Sequence, residues 1–370
     1  MLRSMFFELS MYIISYTLLM ILMIIISKQI KNKKLASFIV VFACIIYASI
    51  RYNVGSDYDT YYLQYNNILN YFYSVKQILS LDFQSAFNIL LFLTKLYLKN
   101  EYAIFFVTAV IIYPLTFKII RKNSSNFTEA IIVYFLMGFH LVSLNILKQE
   151  IAMVIFLYIY YNFANDGRKR YIILAILIYL MLSFHISGII PLIILFISKM
   201  FKPTKFKIAI STILSSILLL SYKQIVGAIP FLSRYVRYTT NINKDYYIVI
   251  IGTIGYLIFN IILLLFLYKN KDELIQKNKN NALILNALIL SIPLKVVGIF
   301  NFPVYRLSLY IDQLLFFIIP DLLSIYREKN AKRFNKEYIL YFMILIIYNA
   351  FSIIFLAHNN FYTYQTIFNR

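Results

Sequence analysis

Charged side chains cluster directly after a long apolar run. The run 35–50 has the composition of a membrane helix, and Arg51, Asp57 and Asp59 follow it. Ionisable groups at a membrane boundary are costly unless they are paired or used. A carboxylate there can deprotonate a hydroxyl while an arginine holds an anionic leaving group. The alternative is an ordinary helix end, with Arg51 reaching to the lipid headgroups and Asp57 capping the next helix.

Aromatic rings follow these carboxylates at helical spacing. They are Tyr58, Tyr61, Tyr62 and Tyr65. Rings beside carboxylates suit a polar ligand that has apolar faces, such as a sugar. The Asp-x-Asp spacing that ends at Asp59 also occurs where a metal ion holds a diphosphate, but two carboxylates are a weak metal signal. We therefore predict no bound metal and keep a divalent ion at this pair as the alternative.

A second polar group lies further along the chain. Asn145, Lys148, Gln149 and Ala152 recur at i, i+3, i+4 and i+7, so we expect them to share one helix face. A cation and two amides on one stripe can bind phosphate oxygens. The alternative is an interfacial pair of Lys148 with Glu150, with Asn145 as a helix cap.

Two more candidates lie at breaks between apolar runs. His185 separates two short runs and precedes Pro191, which indicates an opened helix and a buried polar site. A lone histidine in such a place is more often a packing residue, although a neutral imidazole can act as a base. Arg306, with Tyr310, follows Pro303 at a helix start and suits a diphosphate. Its alternative is again a boundary arginine that reaches to lipid headgroups.

The composition defines the elements that must position these groups. The chain is 61% hydrophobic and only 14% charged, with a mean hydropathy of +0.74. This predicts an all-α, polytopic integral membrane helix bundle, with residues 1–370 as a single domain. We expect about twelve spans and one interfacial helix at 84–98. The predicted spans are 6–27, 35–50, 102–118, 127–144, 149–164, 171–184, 186–198, 206–221, 246–268, 281–299, 306–325 and 337–356.

The basic residues predict the orientation. The net charge is +21, but lysines and arginines occur in short clusters between apolar runs, which favours contact with a lipid bilayer and not with nucleic acid. The main clusters fall on one side if 84–98 does not cross, and that side is then cytoplasmic. Both termini, the segment 51–100 and the loop 221–245 are predicted to be extracytoplasmic.

These motifs, in this order, resemble the EpsG family of Wzy-like bacterial polysaccharide polymerases. The likeness extends over about residues 45–365. Two positions depart from the family pattern, since Lys148 stands where the family usually has arginine, and Thr363-Tyr364 stands in place of Pro-Tyr. The segments that carry the resemblance are Arg51 with Val54-Gly55-Ser56-Asp57-Tyr58 and Tyr61/Tyr62, then Asn145-x-x-Lys148-Gln149-x-x-Ala152, His185-x-Ser187 with Pro191, and Arg306 with Tyr310.

The resemblance implies a glycosyltransferase of the bacterial cytoplasmic membrane with a GT-C-like, Wzy-like architecture. Such a polymerase joins undecaprenyl-diphosphate-linked oligosaccharide repeat units at the extracytoplasmic face, for exopolysaccharide, capsule or O-antigen synthesis. It needs no nucleotide cofactor, and its expected partners are a flippase and a chain-length regulator. The alternatives are a flippase or exporter of the same lipid-linked glycan and an O-antigen-ligase-type transferase.

The resemblance also implies roles for individual residues. Asp57 is the first candidate for the catalytic base and His185 the second. Arg51, Lys148 and Arg306 are expected to hold the diphosphate. The remaining predicted substrate contacts are Asp59, Tyr58, Tyr61, Asn145, Gln149 and Tyr310.

Overall fold

The structure is a computed structural model. It describes residues 2–81, 85–164, 170–200, 244–299, 301–329, 345–348 and 364–368, together with the single positions 203, 210, 213 and 343. The predicted loop 221–245 and the predicted spans 206–221 and 337–356 fall almost entirely outside these residues.

The described chain is helical apart from two very short strands. The helices before the first long gap are α1 (Leu2–Gln29), α2 (Lys33–Ser49), α3 (Tyr58–Tyr71), α4 (Val75–Leu81), α5 (Ser85–Leu98), α6 (Ala103–Asn123), α7 (Phe127–Leu136), α8 (Phe139–Asn145), α9 (Leu147–Ala164), α10 (Arg170–Phe184) and α11 (Ile189–Lys199). Those after it are α12 (Lys244–Lys269), α13 (Lys271–Lys277), α14 (Asn280–Leu290), α15 (Ile292–Gly298), α16 (Phe302–Asp312) and α17 (Leu315–Lys329). The strands are β1 (Arg51–Tyr52) and β2 (Gln365–Thr366).

The chain divides into two compact units, one formed by Met1–Gly188 with Leu356–Arg370 and the other by Ile189–Phe355. In the first unit α2 packs along α6, α1 lies against α2 and α7, and α9 contacts α6 and α10. Asparagine caps begin two of these helices. The Asn32 side chain accepts from the backbone N–H groups of Lys34 and Leu35, and Asn126 does the same for Glu129.

The helices that follow α6 are broken twice. α7 and α8 meet at an angle of 56°, and Gly138 between them has a φ of +73°, which favours glycine. The backbone leaves the helical region again at Ile146, so α8 ends at Asn145 and α9 begins at Leu147. The predicted single helix face over 145–152 is therefore wrong: Asn145 ends one helix while Lys148, Gln149 and Ala152 belong to the next.

A two-stranded ladder joins the end of α2 to the C-terminal segment. Arg51 pairs with Thr366 and Tyr52 with Gln365 in antiparallel register. The ladder continues as a hydrogen bond from Ile367 N–H to the Ile50 carbonyl at 2.9 Å. Residues more than 300 positions apart in sequence are thereby held side by side.

The second unit contains a buried ion pair. The Lys295 ammonium lies 2.6 Å from Asp312 Oδ1 and donates to Asn260 Oδ1 at 2.7 Å, so the pair ties α12, α15 and α16 together. α15 and α16 approach closely because residue 298 is a glycine; a Cβ there would lie 2.6 Å from Tyr305 Cβ.

The structure confirms an α-helical membrane protein but not the predicted number of spans. Three described helical stretches are long and apolar enough to cross a bilayer: Ala103–Asn123, Ile250–Lys269 and Asn280–Gly298. Two bent pairs raise the number to five, Phe127–Leu136 with Phe139–Asn145 and Pro303–Asp312 with Leu315–Glu328. Several other predicted spans form helices below the ~20 residues of a full crossing; α10 has 15 and α11 has 11.

Candidate functional site

A tight turn presents Asp57 at the start of α3. Asn53 and Gly55 both have positive φ, +53° and +97°, and the Gly55 carbonyl accepts from Tyr58 N–H at 3.1 Å. A Cβ at Gly55 would lie 2.9 Å from Asn145 Oδ1. Glycine is therefore required here both by the backbone conformation and by the approach of Asn145.

Asn145 fastens this turn to the end of α8. Its Oδ1 accepts the Asp57 backbone N–H at 2.9 Å, and its amide and the Ser56 hydroxyl are within hydrogen-bond distance of each other at 3.2 Å. The motif that contains Asp57 and the motif that begins at Asn145 thus meet in the first unit. The Asp57 side chain is half-buried and makes no cap hydrogen bond to α3, so the predicted alternative role as a side-chain helix cap is wrong.

Arg51 is buried beneath the turn, with only 1% of its surface exposed. Its Nη1 donates to the Ala48 carbonyl at 2.5 Å, and the guanidinium lies 4.6 Å above the Phe105 ring. Nε and Nη2 are also buried, and neither makes a hydrogen bond to any described residue. Burial lowers the pKa of Arg51, since removing a charge from water disfavours the charged form.

The buried edge of Arg51 that makes no hydrogen bond to a described residue has a specific geometry. Nε–H and Nη2–H point in parallel along one side of the planar guanidinium, which is the fork that grips a carboxylate or a phosphate through two oxygens. A buried charge without its counter-ion costs several kcal/mol. Because Nη1 and the ring face are already engaged, this edge is fixed in place and suited to an oxyanion.

Most of the predicted sugar-stacking tyrosines are packing residues. Tyr58 is 3% exposed and stacks on Phe105 at 4.5 Å, while Tyr61 is 5% exposed and meets Phe87 edge-on. Tyr65 is fully buried and donates to the Asn100 carbonyl; burial raises its pKa to about 12, so the phenol remains a donor. Tyr62 is the one ring of these four that is half-exposed.

The two carboxylates of the Asp-x-Asp pair differ in setting. Asp57 is half-buried at the turn, whereas Asp59 is exposed in the first turn of α3. Side chains two positions apart on a helix do not face each other. Within the described part of the chain, no group of three or more His, Cys, Asp and Glu side chains has the geometry of a metal site.

The other polar residues of the first unit lie on α9 and at its neighbour. Lys148 is half-exposed in the first turn of α9, and Gln149 beside it is 5% exposed. His185 stands between α10 and a short 3-10 helix, Ile186–Gly188, which confirms the predicted break. Its Nδ1 is hydrogen-bonded to the buried Ser187 hydroxyl, and the 3-10 helix packs against α9 and α10.

Arg306 and Tyr310 belong to the second unit, on α16. Arg306 is half-buried and Tyr310 is fully buried. Their participation in one pocket with Asp57 and Lys148 stays a prediction.

From the sequence, His140 was given little weight as a site residue, and Lys295 and Asp312 were overlooked. His140 is completely buried on α8 between the rings of Tyr16 and Tyr47, and neither of its ring nitrogens is hydrogen-bonded to a described residue. Lys295 and Asp312 form the buried pair of the second unit. The available signal was an ionisable residue inside an apolar run, which in a membrane protein marks a buried polar contact.

The described chain is thus an α-helical membrane protein in which a buried guanidinium lies close in sequence to a polar turn. The chain matches the sequence model of the EpsG family over residues 34–366, from α2 to the last residue of β2, and it belongs to that family. No curated protein and no solved structure matches it significantly. Family membership makes it a polysaccharide polymerase-like membrane protein.

Proposed function

We propose that the protein is a glycosyltransferase that polymerises oligosaccharide repeat units carried on undecaprenyl diphosphate, at the extracytoplasmic face of the bacterial cytoplasmic membrane. The observation that carries the proposal is the buried Nε/Nη2 edge of Arg51, which makes no hydrogen bond to a described residue and lies six positions before Asp57. A transfer from a lipid diphosphate requires a base for the acceptor and a cation for the leaving group, and this turn supplies one of each.

In the proposed step, an acceptor hydroxyl oxygen attacks the anomeric carbon of the donor glycan. The new C–O bond forms as the bond from that carbon to the diphosphate oxygen breaks, and the electron pair leaves with the diphosphate. The Asp57 carboxylate takes the hydroxyl proton. The Arg51 fork holds two oxygens of the departing diphosphate, where negative charge increases in the transition state.

Lys148 supports the same step from the neighbouring helix. It lies three positions beyond Asn145, whose side chain holds the Asp57 backbone, and it is half-exposed. A second cation close to the turn shares the charge of the leaving diphosphate. His185 is the alternative base, and Arg306 is the candidate contribution of the second unit.

Complementation of a strain that lacks this gene tests the proposal. We expect Asp57→Asn to accumulate single repeat units on the lipid carrier, whereas the matched variant Asp272→Asn makes normal polymer ladders, because Asp272 is exposed on α13 and is not a predicted site residue. Membrane levels of both variants are measured by immunoblot. Normal ladders from Asp57→Asn would overturn the assignment of the base, and failure to find repeat units outside the cytoplasm would indicate a flippase.

A further inference from the structure

The outward face of the β1–β2 ladder carries residues that the proposed step does not use. Side chains alternate along a strand, so Arg51 points inward and Tyr52 points outward, in agreement with their burial. Gln365 pairs directly with Tyr52 and is exposed. Directly opposed residues share a face of the sheet, so the Gln365 amide lies beside the Tyr52 ring.

Tyr52 belongs to a continuous group of tyrosine rings. Its centroid lies 6.3 Å from that of Tyr102, which lies 5.6 Å from that of Tyr62. Tyr58 contacts both Tyr52 and Tyr62 from beneath. Tyr58 and Tyr102 are buried, whereas Tyr52 and Tyr62 are half-exposed, so the first two support the exposed pair.

A carboxylate completes the surface. Glu101 is half-exposed, and its Oε2 accepts the Tyr62 hydroxyl at 2.8 Å. We call Tyr52, Tyr62, Glu101 and Gln365 the aromatic platform. It combines two ring surfaces, one amide and one carboxylate, and it contains no cation.

This combination matches a sugar ring better than a diphosphate or a lipid tail. The C–H bonds on one face of a pyranose can lie against an aromatic ring, while its hydroxyl groups donate to a carboxylate and exchange hydrogen bonds with an amide. A diphosphate would be repelled by Glu101. A lipid tail would leave the amide and the carboxylate without function, although tyrosines alone are common at membrane interfaces.

We propose that the aromatic platform binds the terminal sugar of the acceptor repeat unit. Tyr58 directly follows Asp57 in sequence and touches both exposed rings. In the proposal, a sugar on the platform lies beside the turn that carries Asp57, the base that would deprotonate it. The inference rests on the proposed function, since it assigns the acceptor side of the same reaction and leaves Arg51 to the donor diphosphate.

A single-tryptophan reporter tests the platform without requiring transfer. The chain contains no tryptophan, so Tyr52→Trp introduces one emission signal at the platform. Tyr73→Trp is the matched control, because Tyr73 is 84% exposed beyond the end of α3 and outside the platform. The full-length variants in detergent micelles are titrated with the free repeat oligosaccharide, released by mild acid from the lipid-linked units that accumulate in cells lacking this gene.

We expect a saturable emission change in Tyr52→Trp and none in Tyr73→Trp. Adding Glu101→Gln or Gln365→Ala should raise the half-saturating concentration about tenfold, the cost of one hydrogen bond of this kind. No saturable change, or an equal change in the control, would overturn the platform. The free oligosaccharide lacks the lipid diphosphate, so this titration tests the acceptor platform and not the transfer step. If no binding is seen but Asp57→Asn makes no polymer, the platform is wrong and the proposed function still stands. If the oligosaccharide binds and Asp57→Asn still makes normal polymer, the platform is supported and the assignment of Asp57 as the base is wrong.

Discussion

At the scale of single residues, the most informative feature is a charge that is buried and only partly satisfied. Arg51 has one nitrogen bonded to the Ala48 carbonyl and its face on Phe105, while Nε and Nη2 bond to no described residue. Proteins retain such an arrangement at a cost in stability. The cost is explained if an oxyanion occupies the open edge during function.

The fork of Arg51 gives a direct prediction. Arg51→Lys keeps the charge but presents an ammonium in place of two parallel N–H groups. Losing hydrogen bonds to a charged group costs ~1.5–3 kcal/mol, so we expect the rate of polymer formation to fall roughly tenfold to a hundredfold by the same relation. Lys148→Arg, which keeps a cation at a half-exposed position, should retain activity. Equal activity of Arg51→Lys and wild type in a ladder time course would remove Arg51 from the mechanism.

The turn at Gly55 gives a second prediction. Gly55→Ala adds a Cβ at a φ of +97° and 2.9 Å from Asn145 Oδ1, so the turn must shift away from α8. The strain is about 1–3 kcal/mol, which lowers the melting temperature of a large chain by only a few degrees per kcal/mol. We expect lost polymer with a near-normal melting temperature in detergent. Ser56→Ala, which removes only a hydrogen bond of 3.2 Å, is the control and should remain active. A fully active Gly55→Ala would show that the position of Asp57 tolerates movement.

The sequence predicted which polar residues lie at this turn better than it predicted the geometry of the turn. Arg51, Asp57 and Asn145 could be selected because charged and amide groups next to apolar runs are costly, and that argument needs no structure. The burial of Tyr58 and Tyr61 could not be read from spacing, because a helical stripe of rings is the same whether it faces protein or solvent. The partnership of Tyr52 with Gln365 has no local signal at all, since it depends on pairing across more than 300 residues.

At the scale of elements, the breaks between helices position the site. α8 is seven residues long, ends at Asn145 and is separated by bends or turns from α7 and α9. A continuous helix would have carried Asn145 and Lys148 on one face and away from the turn. The sequence pattern suggested the continuous helix because the apolar residues keep helical spacing through Ile146.

The C-terminal strand is the element most open to test. Ile367→Pro removes the N–H group that donates to the Ile50 carbonyl at 2.9 Å. This should release β2 from β1 and separate Gln365 from Tyr52, so we expect little polymer at normal protein levels. Ile367→Val keeps the donor and serves as the control. If Ile367→Pro makes polymer with the wild-type band pattern, the pairing of β1 with β2 is not required to position Arg51.

At the scale of the whole molecule, two units carry different polar interiors. The first holds the unpaired Arg51, whereas the second holds a pair, Lys295 with Asp312, at 2.6 Å. A buried charge that is paired with an opposite charge indicates a structural role. A buried charge without a partner among the described residues indicates a ligand. This contrast is the reason why the proposed chemistry is assigned to the first unit.

The buried pair predicts an asymmetric mutational response. Lys295→Met leaves Asp312 buried without its partner and should destabilise the protein by ~3–5 kcal/mol, whereas Lys295→Met with Asp312→Leu removes both charges and should recover most of that loss. Thermal unfolding of the single and double variants in detergent, monitored by size-exclusion chromatography, measures both changes in stability. Equal melting temperatures for the single and double variants would show that the pair contributes no coupling.

The last prediction concerns which side of the membrane each part of the chain faces. The chain's one cysteine, Cys44, is fully buried, so the native protein should not react with a membrane-impermeant maleimide. Tyr73→Cys lies in the predicted external segment, whereas Lys31→Cys and Gln276→Cys lie in segments predicted to be cytoplasmic, and all three positions are exposed. We expect Tyr73→Cys to be labelled in intact cells and the other two only after permeabilisation.

This pattern follows from the positive-inside arrangement, in which the lysine clusters around positions 31 and 276 stay in the cytoplasm. The expected labelling requires that α5 does not cross the membrane. α5 has 14 residues, fewer than the ~20 that a crossing needs. Labelling of Gln276→Cys in intact cells, with Lys31→Cys protected, would mean an odd number of crossings between those positions. The opposite result for Tyr73→Cys would place Asp57 and the aromatic platform in the cytoplasm, where lipid-linked repeat units are assembled and not joined, and the polymerase proposal would fail.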